Sequence, residues 1–159
     1  MTELNPGDRA PAFDLPTDGG GRVALSDYTG VHLVLYFYPK DDTPGCTTEA
    51  VGFSQALPNF TAVGARILGV SKDSPARHDK FKAKHGLGFT LASDETGAMI
   101  EAYGAWVEKS LYGRKYMGID RSTFLIDPFG TVRAVWRKVR VPGHVEAVLA
   151  AAKAHGAPF

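Results

Sequence analysis

Residues 31–38, Val-His-Leu-Val-Leu-Tyr-Phe-Tyr, form a nearly unbroken apolar run rich in β-branched and aromatic side chains. Such a run has no polar face to give to solvent, so it reads as a strand buried on both sides, central in a parallel or mixed sheet. Pro39 ends the pattern. After Lys40, Asp41 and Asp42 the signals become those of a helix start. Thr43 suits the N-cap, and Pro44 suits the first helical position, where its missing N–H costs nothing. Cys46, the only cysteine in the chain, then falls in the first helical turn, near N3.

The first turn of a helix carries unpaired N–H groups and the positive end of the macrodipole, which stabilise a thiolate and raise the reactivity of its sulfur. The Thr43 hydroxyl can cap the backbone or turn toward whatever the sulfur attacks. A lone cysteine is ordinarily a buried, inert hydrophobe. Here it follows a polar loop and opens a helix, which favours the reactive reading. Such a thiolate can attack a peroxide, a disulfide or an acyl carbon. Disulfide exchange usually employs Cys-x-x-Cys, but the residue at that spacing is Glu49. Acyl transfer needs a base, usually histidine. None of His32, His78, His85, His144 and His155 has a spacing that points to the cysteine, and they read as solvated or capping residues. Nor do they supply a short-spaced zinc-ligand pair with the lone cysteine. Peroxide reduction needs less: an ionised sulfur, donors for both oxygens and a cation. It requires no cofactor and no metal.

The pattern Pro39-x-x-x-Thr43-x-x-Cys46 resembles the active-site signature of the peroxiredoxins. The longer string from Tyr38 through Ala50 is similar to the peroxiredoxin Q, or bacterioferritin co-migratory protein, branch. The resemblance continues in residues 68–74, 112–119, 121–127 and 142–145. It implies a thioredoxin-like fold and a thiol-dependent peroxidase acting on hydrogen peroxide and organic hydroperoxides through a Cys46 sulfenic acid. It also implies that Pro39 shields the sulfur, that Thr43 hydrogen-bonds the peroxide and that Arg121 reaches over sulfur and oxygens. Glu49, on the same side of the helix as Cys46, then either orients Arg121 or complements the helix dipole. Many members of the branch carry a second cysteine five residues after the first. Here that position is Val51. Recycling therefore falls to an external thiol, whether thioredoxin, glutathione with a glutaredoxin, or another low-molecular-weight thiol. The competing reading is a peroxide sensor or redox binding module on the same fold.

A chain of 159 residues fits one domain, 1–159, and a net charge of +1 without blocks of like charge suggests no nucleic-acid partner. No apolar run reaches membrane-spanning length, and the stretch from Met1 to Pro6 lacks a signal-peptide core. One cysteine fits a reducing, cytoplasmic setting. Nothing outside the catalytic domain suggests a dedicated assembly arm, so a monomer is expected.

Along the chain, residues 12–15 and 22–25 flank Gly19-Gly20-Gly21 as an N-terminal β-hairpin, and Ser26-Asp27-Tyr28 reads as a single helical turn. Ala50, Phe53 and Leu57 share a face of the cysteine helix, and Pro58 forces a kink or restart. Residues 65–71 are a strand; Ser74-Pro75 opens a helix to about His85 before Gly86. Residues 89–92 are a strand, and 94–97 lead into a helix to about Tyr103. Residues 106–121 have weak periodicity and no assignment. Residues 122–126 and 131–137 are strands joined by Asp127-Pro128-Phe129-Gly130, with Val132, Ala134 and Trp136 on one face and Arg133 and Arg137 on the other. Val145, Val148, Leu149 and Ala152 stripe a closing helix. Asp41 and Asp42 read as solvated loop charges, Tyr38 and Trp106 as core aromatics. The order of elements implies an α/β (α+β) fold, a central mixed β-sheet flanked by helices.

Overall fold

The computed structural model describes residues 4–156, so Met1-Thr2-Glu3 of the N-terminal stretch lie outside the described residues. Strands β1 (Asp14–Pro16) and β2 (Arg22–Ala24) pair antiparallel as the peripheral hairpin. The chain continues through β3 (His32–Phe37), α1 (Pro44–Gln55), α2 (Leu57–Ala62), β4 (Ala65–Ser71) and α3 (Pro75–His85). Then follow β5 (Thr90–Ser93), α4 (Ala98–Ala102), β6 (Trp106–Leu111), β7 (Arg114–Ile119), β8 (Ser122–Ile126), β9 (Val132–Trp136) and α5 (His144–Gly156). Five strands form a mixed sheet in the order β5-β4-β3-β8-β9, with β3 at its centre. The arrangement is that of the thioredoxin-like fold.

Every residue of β3 is buried, as its unbroken apolar run requires. Leu33, Leu35 and Phe37 point to one face, where they join Leu68, Val70, Phe124, Ile100 and Tyr103. Val34, Tyr36 and Tyr38 point to the other, where α1, α3 and α5 contribute Phe53, Phe81 and Val148. The period of two along a strand thus builds both cores from one segment. β3 runs parallel to β4 and antiparallel to β8, with Phe37 opposite Ser122. The end of β3 and the start of β8 therefore lie side by side.

Two helix boundaries follow local chemistry. Ser74 accepts a hydrogen bond from the Arg77 N–H, with Pro75 next to it, and Gly86 closes α3 at φ 62°. The cysteine helix stops at Gln55. Leu57 opens a new helix with Pro58 in its first turn, so Leu57 packs on the same core from α2 rather than α1.

The unassigned stretch is a separate antiparallel hairpin, β6 and β7, joined by Tyr112 and Gly113 at φ 52° and 78°. Two consecutive positive φ values suit the twist of a two-residue hairpin turn. The strands are exposed along most of their length, so no apolar alternation marked them. β9 departs from strict alternation. Ile126 pairs with Val132 but Leu125 pairs with Ala134, so a bulge at Arg133 intervenes. The extra residue reverses the faces: Val132 joins the first core, while Ala134 and Trp136 pack on the second. The helix after residue 97 runs to Ala102 with Tyr103 as its C-cap, as expected.

Gly69 in β4 lies under the Tyr36 ring, and a Cβ there would fall 2.9 Å from Tyr36 and 3.0 Å from Leu91. Gly69→Ala is expected to destabilise the fold by about 1–3 kcal/mol through overpacking of a rigid core. Urea denaturation monitored by circular dichroism measures this, and an unchanged midpoint would show that the Tyr36 layer yields freely.

Candidate active site

Thr43 occupies the N-cap of α1 with extended backbone, Pro44 and Gly45 follow, and Cys46 takes the third helical position. The sulfur sits where helix N–H groups converge and is only 1% exposed. The Thr43 hydroxyl does not cap the helix. It donates instead to the Lys40 carbonyl at 2.9 Å, closing the loop on itself. With its proton so committed, the oxygen keeps lone pairs to accept a hydrogen bond. Pro39 is exposed on the same loop.

Arg121 arrives from the position just before β8. Its Nη2 donates to Cys46 Sγ at 3.3 Å, and its Nη1 donates to Glu49 Oε1 at 2.6 Å. The structure thus brings Cys46, Glu49 and Arg121 into direct contact across 75 and 72 residues of chain. Glu49 lies beyond the first turn of α1, so its partner is the guanidinium rather than the helix dipole. Burial would lower Arg121, but the charges of Glu49 and Cys46 outweigh it and raise it. Burial pushes the Glu49 carboxyl up to about 7, with Arg121 opposing. Its second oxygen, Oε2, and the Tyr36 hydroxyl have no hydrogen-bond partner among the described residues. Gly45 leaves the room that Arg121 needs, since a Cβ there would lie 3.2 Å from Nη2. Sequence reasoning missed that role. A small residue next to the sulfur was the available signal.

The histidines depart furthest from expectation. His32, His78 and His144 are buried, not solvated. His144 Nε2 meets Thr123 Oγ1 at 2.8 Å and its ring packs edge-on against Phe53 and Trp136. Burial, with Arg121 nearby, lowers His144 to about 4, so it is neutral near neutral pH. Asp41 is also buried and hydrogen-bonded to Tyr38 and His78, whereas Asp42 is exposed and paired with Lys84 and His85. Tyr38 is a core residue as expected, and Trp106 is half-buried beneath the Lys72 ammonium.

The family model described as AhpC/TSA family matches residues 6–135. The chain belongs to the peroxiredoxins. It is 53% identical over 148 residues to peroxiredoxin Bcp of Xanthomonas campestris, covering 92% of each chain. The structure of Xanthomonas campestris peroxiredoxin Q superposes with a TM-score of 0.87 at 51% identity, covering 91% of each chain. A cysteine-to-serine variant of PrxQ from Xylella fastidiosa superposes with a TM-score of 0.92 at 45% identity, covering 98% of this chain and 99% of that one. This peroxiredoxin is therefore a thiol-dependent peroxidase of the Q, or bacterioferritin co-migratory, branch, and with Cys46 as its one cysteine it lacks a resolving thiol. Among the described residues no helix is long and apolar enough to cross a membrane.

The Glu49 carboxyl makes a signed prediction. A carboxyl whose folded value is raised from 4.5 to about 7 contributes stability below the lower value, and that contribution is lost as pH rises through the higher one. His144, lowered from 6.5 to about 4, acts in the opposite sense as pH falls. The stability difference between wild type and Glu49→Gln should therefore shrink as pH rises across the Glu49 window. Chemical denaturation of both proteins across that range reads it, and a pH-independent difference would contradict a raised Glu49.

Proposed function

We propose that this peroxiredoxin reduces hydrogen peroxide and organic hydroperoxides by direct attack of the Cys46 thiolate. The observation that carries this reading is the Arg121 Nη2 donor at 3.3 Å from a sulfur in the first turn of a helix. The thiolate attacks the terminal oxygen of ROOH, forming an S–O bond as the O–O bond breaks. Sulfur is oxidised to the sulfenic acid, and the departing oxygen takes a proton to leave as alcohol or water. Negative charge moves from sulfur to that oxygen. Helix N–H groups and Arg121 are already directed at it, so little reorganisation is needed at the moment of reaction. Glu49 holds the guanidinium in line. Thr43 accepts from the hydroperoxide O–H, and Pro39 limits access of water from the loop side.

A groove of about 830 Å³ opens beside the helix start, lined by residues that include Pro44, Gly45, Val141, Val145 and Leu149. Thr48, Gln55, Asn59 and Glu146 also line it, and its apolar side suits the hydrocarbon part of an organic hydroperoxide. Structures of the Xanthomonas campestris homologue come from work on its alkyl peroxide reduction activity, which supports the same substrate class here. The other large cavity, lined by residues that include Phe13, Tyr28, Leu33, Ile126 and Phe129, lies at the opposite end of β3 and β8.

The sulfenic acid is reduced by an external thiol, which forms a mixed disulfide and releases water. A second thiol then returns Cys46 to its thiol form. The deep seat of the sulfur favours a slender, low-molecular-weight thiol as the first attacker, with thioredoxin or a glutaredoxin following. We propose a monomeric working unit, in which Arg121 reaches Cys46 and Glu49 of its own chain. The thiol chemistry suits a reducing, cytoplasmic compartment.

Removing a preorganised transition-state donor costs on the order of 10²–10³ in rate. Arg121→Ala is expected to slow Cys46 oxidation by that order, and Thr43→Val to slow it markedly while preserving shape. Stopped-flow oxidation by hydrogen peroxide, with circular dichroism as a folding control, tests both. Wild-type rates in both variants would remove the assigned roles. Rapid oxidation of the wild type that no external thiol reverses would instead identify a sensor.

Val51 generates a second test. Five residues of α-helix separate two Cα atoms by roughly 9 Å. A disulfide accepts about 4.4–6.8 Å. The wild type, with valine there, can keep α1 formed throughout its cycle, and its sulfenic acid waits for an external thiol. Wild type is expected to over-oxidise to sulfinic acid at modest peroxide excess. Val51→Cys should form a disulfide with Cys46, lose local helix and resist over-oxidation. Intact mass after peroxide titration, with hydrogen exchange over residues 43–57, distinguishes these outcomes. A variant that gains two oxygens as readily as wild type would contradict the recycling scheme.

A further inference from the structure

The loop that carries Pro39 and Thr43 is anchored at its middle, in the protein interior. Asp41 is buried, although its neighbours Lys40 and Asp42 are exposed. Its backbone N–H donates to Asp73 Oδ2 at 2.8 Å. Its Oδ1 accepts from the Tyr38 hydroxyl at 2.5 Å, and its Oδ2 meets His78 Nδ1 at 2.6 Å. His78, on α3 and fully buried, directs its other nitrogen, Nε2, to the Ala92 carbonyl at 2.9 Å. Burial, then the neighbouring Tyr36 and Asp41, raise Tyr38 far above its ordinary value, so it remains a donor.

Counting protons on this network constrains it. The Ala92 carbonyl only accepts, so Nε2 must carry a hydrogen. The Tyr38 proton already serves Oδ1, leaving Nδ1 and Oδ2 facing each other at 2.6 Å. A neutral imidazole with its hydrogen on Nε2 beside an ionised carboxylate would set two lone pairs against each other. One further proton must therefore lie between Asp41 and His78. With it, every polar atom of the buried pair is satisfied.

We propose that Asp41 and His78, joined by this proton, are positioning residues for peroxide reduction: they fix the loop so that Thr43 and the first turn of α1 meet the hydroperoxide. The inference rests on the role of Thr43 proposed above. The pair touches no substrate. It acts from α3 and the edge of β5 onto the loop midpoint, two residues from Thr43 and two from Pro39. The Thr43 hydroxyl donates to the carbonyl of Lys40, the residue preceding Asp41, so a shift of the anchor passes directly to that hydroxyl. Asp42, at φ 61°, holds a conformation that non-glycine residues rarely adopt, and its carboxylate is tied to Lys84 and His85 of the same helix. The loop thus keeps an unfavourable backbone shape because α3 grips it at that residue and at the one before it.

Two replacements separate positioning from bulk stability. Asp41→Asn can donate its amide to His78 Nδ1 and accept from Tyr38, reproducing the network without the extra proton. It should keep the rate of Cys46 oxidation within about threefold of wild type. The paired apolar replacement Asp41→Leu with His78→Phe removes both buried partners together, a change that cores commonly tolerate in stability. It should lower the rate about ten- to a hundredfold, the scale of a small misplacement at a reacting centre. In a Thr43→Val background the same paired replacement should cost less than about threefold, because both changes act through one hydroxyl. Stopped-flow oxidation by hydrogen peroxide gives all the rates, and circular dichroism with urea denaturation gives the stabilities. A folded paired variant with the wild-type rate, while Thr43→Val is slow, overturns the inference and leaves the role of Thr43 intact. Full additivity with Thr43→Val, or an Asp41→Asn variant that folds yet is as slow as the paired one, also overturns it. A wild-type rate for Thr43→Val itself removes the assigned role of Thr43, and the inference with it. If the paired variant does not fold, Tyr38→Phe serves in its place, with a smaller loss expected and an unchanged rate counting against the inference.

Discussion

A carboxyl with no exposed surface is cut off from water, and so is a cysteine at 1% exposure, so both need a charged donor beside them. Arg121 answers both at once, with one guanidinium arm on Glu49 and the other on Cys46. The planar fork matters here, because a lysine ammonium would offer a point charge to one partner rather than separate donors to two. The remainder of the site is arranged to permit this contact. Gly45 leaves space for the guanidinium, and the start of β8 delivers it.

The delivery is a consequence of sheet topology. Because β3 and β8 are antiparallel neighbours with Phe37 opposite Ser122, the residues just beyond the end of β3 lie beside the residue just before β8. The loop toward α1 starts at one, and Arg121 is the other. The parallel pairing of β3 with β4 carries Asp73 to the same end of the sheet, where it receives the Asp41 N–H. An antiparallel and a parallel neighbour thus converge on one loop, as expected for sites at strand ends in α/β sheets.

Much of this was legible because the relevant signals are local. A both-sides-buried strand, a Thr-Pro helix start and a Ser-Pro cap are written in consecutive residues, and β3, α1 and α3 lie where those signals put them. What sequence reasoning missed depends on partners distant in the chain. Asp41 looked like a solvated loop charge because its partner His78 is 37 residues away and on another element. His78 and His144 looked solvated because nothing local reveals a carbonyl or hydroxyl waiting in the core. The β6–β7 hairpin escaped notice for a different reason: it buries little, so its residues carry no periodic trace, and only the Tyr112-Gly113 turn betrays it. The bulge at Arg133 is invisible to any pattern that assumes strict alternation, since one extra residue reverses every side chain beyond it.

Glu49 and the Asp41–His78 pair accept similar costs for different ends. Each removes an ionisable group from water, and an apolar core of similar volume would serve stability as well or better. Glu49 spends that cost next to the sulfur, where it bonds the guanidinium that also touches Cys46. The Asp41–His78 pair spends it on the far side of the loop, where no reacting atom arrives. Directional bonds are the property the two share and the one apolar packing lacks. A hydrophobic contact would hold the loop down but leave it free to slide, because burial is indifferent to orientation. A carboxylate bonded at both oxygens specifies the position of the backbone that carries it. Each such bond also joins two elements, Glu49 on α1 with Arg121 before β8 and Asp41 on the loop with His78 on α3, so it fixes the position of one element against the other.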